Sequence, residues 1–462
     1  MKKFLILLLS SLMLASVLAC AAPDAPAEDG DTTPIESDNV APAPGNDSGV
    51  IDWDTFEPTG VVVEWNWNSE HLEHSAALFA ERFPTATFEP MVVAHGDILP
   101  LLLTALAAGG DTPDILLGEA AFRGSLFELG IFEDLEAAPF SFDTGTIIPS
   151  VLPQLRDHDG RFVGFDQQFS PMGLKYRRDV MYRYFGVSEP DEVAELFATW
   201  NDVIELGQQL AALETDVVMF SGLQELTEII YRQHMAPGWT HLDTQTIDLT
   251  DRVMPALQLA YEVASQIPIG NLTVGSTEWH ASYATGEVLF YPLTSWTSRG
   301  RVAGNFPESR GEGLWGAVKA PGDRTGFMGG TLIGVPTVSE NRYSAFAFIR
   351  WLYATDEGAQ GMFERLGFIP SINSFYVGAD APILAGGFFD DFYDDQNIAL
   401  YMFEVIAPLA RSDPFDSLQV EVLAAFNSVM TEAMADTSID ANRAFELMVE
   451  ALTRGIPGVT IN

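Results

Sequence analysis

From residue 61 onward the apolar positions switch repeatedly between two periods. Val61, Val62 and Val63 form a β-rich run that stops at Asn66, Asn68 and Ser69, so a strand leading into a capped helix is predicted. Leu72, Ala76, Phe79, Ala80 and Phe83 then recur at helical spacing, and Pro84 ends the helix. Residues 88–93 read as a second strand, 98–108 as a second helix closed by Gly109 and Gly110, and 114–117 as a third strand. Such alternation predicts parallel pairing in an α/β lobe, whose ligands sit beyond the carboxyl ends of the strands. The loops to watch are therefore 64–68, 94–97 and 118–123. Further helices are predicted after Thr199, a candidate N-cap, and over 343–353, 418–434 and 441–454. Trp351 and Trp200, on or beside amphipathic helices, are assigned to the core.

The amino-terminal segment follows a different logic. Lys2 and Lys3 precede an apolar run and small residues ending at Ala19-Cys20, the three-part layout of a secretory signal. The run Val17-Leu18-Ala19-Cys20 resembles a bacterial lipobox, which makes Cys20 the expected lipidation site and residues 1–20 a removable signal. Residues 21–58, rich in Pro, Ala, Asp, Gly and Ser without a hydrophobic period, are expected to form a disordered acidic tether. No later segment has the uncharged apolar length of a membrane span, so the body is expected outside the cytoplasm, held to the membrane by lipid alone. Cys20 is the single cysteine, so no internal disulfide is possible.

Composition narrows the choice of partner. With 23 basic and 65 acidic residues the formal charge is −42, and nucleic acid is excluded because no basic patch offers to neutralise phosphates. The hydrophobic fraction of 47% excludes a wholly disordered chain.

The segments FAERFPTATFEP, LLLTALAAGGDTPDILL, LGIFEDLE, DGRFVGF, ATWNDVIELGQQL, TGEVLFYPLTSW and VPTVSENRYSAFAFIRWLYATDEGAQ follow one another along the chain. In that order they resemble the bacterial extracellular solute-binding proteins, specifically the carbohydrate-binding family that includes maltose-binding protein. The likeness spans residues 61 to about 373, with Tyr176-Arg177 a departure from the Tyr-Asn of many members. The resemblance implies a type II periplasmic-binding-protein-like fold: two discontinuous α/β lobes, joined by about three hinge crossings near 168–174, 323–327 and 354–358. The lobes would comprise 59–170 with 326–356, and 171–325 with 357–462. It further implies a monomeric binding component of an ABC importer that captures a sugar between its lobes and delivers it to a membrane permease, without a cofactor or chemistry of its own.

A sugar cleft needs aromatic platforms beside planar polar groups. The candidates are Trp67, favoured over Trp65 for the cleft, with neighbouring Asn66; Asp97 with His95 beside it, either of which could instead cap the helix that follows; and Glu119 with Arg123, which could bind ligand or pair with each other. Trp239 follows Pro237-Gly238 on a loop, which favours exposure. Trp296 matches a family position that stacks on sugar rings, and Gly329 and Gly330 resemble a loop near the second crossing. Trp279, His280, Tyr291, Phe368, Pro370 and Phe375 are weaker candidates, and Asp114 is assigned to structure.

Other classes remain open at this point. A cationic ligand such as a polyamine would suit the acidity. A secreted glycoside hydrolase needs two carboxylates at set separation, which nothing here singles out. Metal binding could use His71 and His74, expected to face solvent, or the loop of Asp390, Asp391, Asp394 and Asp395, but neither supplies a full ligand set, and no metal is expected.

Overall fold

The computed structural model describes residues 51–462 except 235–238, 299–312, 395 and 413–414. The signal, Cys20, most of the expected tether, Pro237-Gly238 and Asp395 lie outside the described residues. The tether does not extend to residue 58. Ile51 is buried, and Trp53 donates its indole N–H to the Phe140 carbonyl at 2.8 Å while packing on Phe140 and Phe346.

Two main sheets mark two lobes, and the apolar core of the first runs on into the second, where it takes in Tyr291, Leu293 and Trp315. The first lobe surrounds a five-stranded sheet built from β1 (Gly60–Asn66), β2 (Ala86–Val92), β3 (Ile115–Glu119), β4 (Phe165–Asp166) and β10 (Thr331–Gly334) in the order β2-β1-β3-β10-β4. β1 pairs in parallel with β2 and β3, as the alternation predicts; β10 returns from far along the chain and pairs antiparallel with β3 and β4. Local chemistry fixes the entry of this lobe. The Asn68 side chain caps helix Ser69–Arg82 by accepting from His71 N–H, and the helix buries Leu72 and Phe79 against the sheet. Helix Ile98–Ala108 ends at Gly109, which takes the left-handed conformation (φ +60°) that a side chain would resist. Asp114 is structural: its carboxylate accepts from Val63 N–H at 2.9 Å and from the Ser339 hydroxyl at 2.6 Å, tying β1 to the turn after β10.

The second lobe holds an antiparallel sheet, β8-β5-β9, of β5 (Gly173–Arg177), β8 (Phe290–Leu293) and β9 (Trp315–Val318). A small sheet orders β11 (Thr460–Ile461), β7 (Thr246–Ile247) and β6 (Thr240–His241). The pairing here is predominantly antiparallel, unlike that of β1 with β2 and β3, because β5 finds both neighbours more than a hundred residues downstream rather than across a single helix. Around these sheets pack helices Trp200–Ala211, capped by a reciprocal Thr199–Asp202 box, and Leu223–His234, Val253–Ala264, Ser417–Ala435 and Ala441–Gly455.

Three chain segments join the lobes side by side. Residues 167–172 run from β4 to β5. Residues 325–328 return beside them, with Met172 N–H on the Gly326 carbonyl and the Thr325 hydroxyl on the Met172 carbonyl. The third lies at 409–412, where Thr325 N–H bonds the Leu409 carbonyl and Arg411 N–H the Thr325 carbonyl. It is not at 354–358. Helix Asp356–Leu366 stays with the first lobe, burying Met362 and Phe363 in its core and setting Gly361 against Leu78 and His74. Ile372 then bridges to Ile147. Trp351 is buried as expected, whereas Trp200 is half-buried with its N–H on Gln233.

Burial also creates a pH-sensitive group. Glu225 is buried, accepts from the Ser221 hydroxyl and Trp279 N–H, and is pushed up to about 7 by desolvation, against 4.5 in the unfolded chain. Its folded pKa is the higher one, so its contribution is fully present below pH 4.5 and lost as pH rises through 7. Glu225→Gln keeps the acceptor without the titration. The variant should match wild type near pH 4 and exceed it by up to about 3 kcal/mol at pH 8 in urea melts. A stability difference independent of pH would mean that the carboxyl titrates normally in the fold.

Candidate functional site

The carboxyl ends of β1 and β3, the start of β10 and the end of β8 converge where the lobes meet. Asn66 ends β1 fully buried, and its side chain is spent inside the lobe: the amide donates to Glu64 Oε1 at 2.8 Å and to His71 Nδ1, while its oxygen accepts from Asn68 N–H at 2.9 Å. Because an amide nitrogen can only donate, His71 accepts at Nδ1 and carries its proton on Nε2, 2.7 Å from the Tyr353 hydroxyl. Burial drives His71 down to about 3 and Glu64 up to about 7. His71 is thus wholly internal, stacked on Phe368, and not solvent-facing as its spacing from His74 suggested. His74 is half-buried on the Gly361 carbonyl, so the two histidines serve helix packing. Among the described residues no three His, Cys, Asp or Glu converge as metal ligands would.

Trp65 goes into the core and Trp67, two residues on, stands half-buried at the strand end. Its ring meets the edges of His95 at 4.9 Å and Phe122 at 6.5 Å. His95 Nε2 lies 3.3 Å from Glu119 Oε2, which also accepts from Ala121 N–H at 2.8 Å. Burial pulls the Glu119 carboxyl upward, but the hydrogen bonds from His95 and Ala121 outweigh it and hold the group below its ordinary value; the same Glu119 bond raises His95. Asp97 is exposed at the N-cap position of helix Ile98–Ala108, but its side chain makes no capping bond.

Opposite Glu119 across the β3–β10 pairing is Thr331, preceded by Gly329 (φ +75°) and Gly330 (φ +104°). A side chain on Gly329 would stand 3.1 Å from the Trp296 indole nitrogen, so glycine lets the second lobe's tryptophan close against this turn. Trp296 is half-buried and donates its N–H to the Met328 carbonyl at 3.1 Å, which fixes the ring at the hinge. Ser295 beside it bonds Gln168 and Ser170 on the first crossing.

Arg123 does not pair with Glu119, whose hydrogen bonds go to His95 and Ala121. It is buried, donating to the carbonyls of Gly118 at 2.9 Å, Gln154 at 3.2 Å and Gly330 at 2.6 Å, and its guanidinium covers the Phe415 ring at 4.6 Å. Burial lowers it to about 10, so it remains charged at neutral pH. Trp239 is not presented on an open loop but packs into the second core at 1% exposure, where it also lines an interlobe cavity of about 50 Å³. The same cavity is lined by Gln154 of the first lobe, by Gly326 and Phe327 at the hinge, and by Arg232 and Arg411.

The structure therefore makes two groups, Trp67 with Glu119 through His95 in the first lobe and Trp296 against Gly329 at the hinge, connected by the Glu119–Thr331 pairing of β3 and β10. Asn66 and Arg123 are drawn into the scaffold, and Asp97 is exposed. Sequence reasoning missed His95 as the partner of Glu119 and missed Gln154, Arg232, Arg411 and Phe415. None lies in a local motif; only the scarcity of basic residues in so acidic a chain could have marked the two arginines.

No family model matches the chain. A lactose-binding protein from Rhizobium radiobacter is 24% identical over 318 residues, 64% of this chain and 71% of that protein. A solved extracellular solute-binding protein of family 1 superposes with a TM-score of 0.71 at 18% identity, covering 86% of this chain and 99% of the other. The GacH receptor of Streptomyces glaucescens, solved unliganded and with acarbose, gives 0.67 at 16% identity over 87% and 100%. The galacto-N-biose/lacto-N-biose I-binding protein of a Bifidobacterium longum ABC transporter, in complex with lacto-N-biose, gives 0.65 at 16% over 90% and 100%. The chain thus has the two-lobed α/β fold of the extracellular solute-binding proteins, and its structural neighbours are sugar-binding members of that group.

Proposed function

We propose that this protein is the substrate-binding component of an ABC importer: it captures a saccharide between its lobes and hands it, without turnover, to a membrane permease. The observation that carries the reading is the placement of Trp67 beside the His95–Glu119 pair at the strand ends of one lobe, while Trp296 of the other lobe packs on the Gly329 turn, two residues before the Thr331 that pairs with Glu119. Indole faces suit the C–H faces of sugars, and the carboxylate and imidazole suit their hydroxyls. A ligand touching both lobes stabilises only the closed state, and the closed state is what a permease can distinguish. The similarity to proteins named for lactose and lacto-N-biose, and to a receptor solved with acarbose, supports this choice of substrate class. Lipidation at Cys20 would anchor the protein, a monomer, to the cell membrane on its extracytoplasmic side, at the cell surface or in the periplasm; no described helix is long and apolar enough to cross a membrane.

A thermal-shift panel of mono- and oligosaccharides tests the proposal, since a ligand at a hundred times its Kd adds about 2.7 kcal/mol of stability. Trp296→Ala should weaken binding by roughly thirtyfold or more, the loss of an aromatic anchor worth about 2 kcal/mol, while the unliganded protein stays folded. Unchanged affinity in that variant, or accumulation of a hydrolysed product, would overturn the reading.

A further inference from the structure

The interlobe cavity has a polarity unlike the rest of the molecule. Roughly one residue in seven of the chain is acidic, yet among the described residues no carboxylate lines this cavity, whereas Arg232 and Arg411 both do. Its polar lining is dominated by donors. Gln154 is 3% exposed and its amide Nε2 has no hydrogen-bond partner among the described residues. Arg232 Nε is likewise buried without a partner, although its Nη2 bonds Glu228 at 3.1 Å. Arg411 donates to the Pro408 and Ala410 carbonyls and meets no carboxylate among the described residues. Buried donors left unsatisfied cost about 1–3 kcal/mol each, which an acceptor placed between them would recover.

We propose that the closed cleft takes an acidic saccharide, one that places an anionic substituent, carboxylate or sulfate, between Gln154, Arg232 and Arg411. The inference rests on the saccharide-capture reading and narrows it. The cavity, of about 50 Å³, has room for a small polar group such as a carboxylate. The donors come from both lobes and the hinge-side segment, Gln154 from the first and Arg232 from the second, so the anion would itself draw the lobes together. Charge-assisted bonds of this kind are roughly twice as strong as neutral ones. The net charge of −42 opposes anion entry at a distance, but salt screens that field beyond about 8 Å and leaves the local arginines to decide.

The experiment is calorimetry on the whole protein with three probes of one linkage: digalacturonate, neutral galactobiose and a sulfated galactobiose. The expected result is at least tenfold tighter binding of one or both acidic probes, the two arms separating carboxylate from sulfate. The ratio of acidic to neutral affinity should fall to near one in Arg411→Gln, with Arg232→Gln as a second variant and circular dichroism to show that each is folded. Neutral galactobiose binding as tightly as the acidic probes, or an acidic preference that survives both substitutions, overturns this inference and leaves saccharide capture intact. If a wide saccharide panel, neutral and acidic, produces no binding to the folded protein, both readings fall together.

Discussion

Gly124→Ala should leave the unliganded protein at least as stable as wild type and weaken ligand binding by about 5- to 150-fold. Gly124 lies in the short helix Arg123–Glu128 of the first lobe, where it faces the second lobe's segment before helix Ser417–Ala435. A Cβ there would come within 2.1 Å of the Asp416 carbonyl oxygen and 2.7 Å of Ser417 N. Those are backbone atoms held on both sides: Ser417 N–H bonds Glu128 Oε1 at 3.1 Å, and the Asp416 carboxylate accepts from the Thr240 hydroxyl and from Gln419 N–H. The lobes therefore must part to admit even a methyl group. Such overpacking costs about 1–3 kcal/mol, which falls entirely on the closed state and so on affinity. Once apart, the lobes no longer feel the methyl, and alanine in a helix gains about 0.5–1 kcal/mol over glycine. Calorimetry gives the affinity, a thermal melt the unliganded stability, and small-angle scattering shows whether saccharide still compacts the molecule. Wild-type affinity would mean that the Gly124–Asp416 contact is absent from the bound state.

The parts of this molecule legible in its sequence are those whose causes lie within a few residues. Asn68 caps the first helix, Gly109 ends the second, Thr199 and Asp202 box the start of a later one, and the Trp65–Trp67 alternation follows from strand geometry. Asp114 was readable as structural because Pro113-Asp114 turns into a strand, even though its partner Ser339 lies 225 residues away. What stayed hidden depends on distant partners. The spacing of His71 from His74 suggests a solvent face; its burial is decided by Tyr353 and Phe368, brought in by helices from the far side of the chain. The third crossing follows from Thr325 pairing with residues 409–411, which no periodicity marks, and the aromatic helix Arg342–Ala354 simply continues through Thr355 into another helix of the same lobe. The pairing of Glu119 shows the limit most sharply. Arg123 is four residues away and offers the obvious ion pair, but the strand-to-helix turn sends the two side chains in different directions, one to His95 at the strand ends and one beneath the sheet.

Arg123→Met should destabilise the protein by about 3–5 kcal/mol, the range for removing one partner from a buried charged network. The guanidinium holds together three pieces of chain otherwise remote from one another: Gly118 at the end of β3, Gln154 in the connection before β4, and Gly330 at the start of β10. Methionine fills much of the volume and keeps the contact with Phe415, but satisfies none of the three carbonyls. It also leaves Asp166, buried nearby and already pushed up to about 8 by desolvation, without the positive charge that opposes that rise. Lysine should recover little, because a single ammonium on a flexible stem cannot reproduce a planar fork aimed at separated oxygens. Urea unfolding at pH 7 is the measurement, with a lower midpoint and an unchanged slope expected. A variant that keeps wild-type stability and loses only saccharide binding would return Arg123 to the role its place beside Glu119 first suggests, that of a residue reaching the ligand.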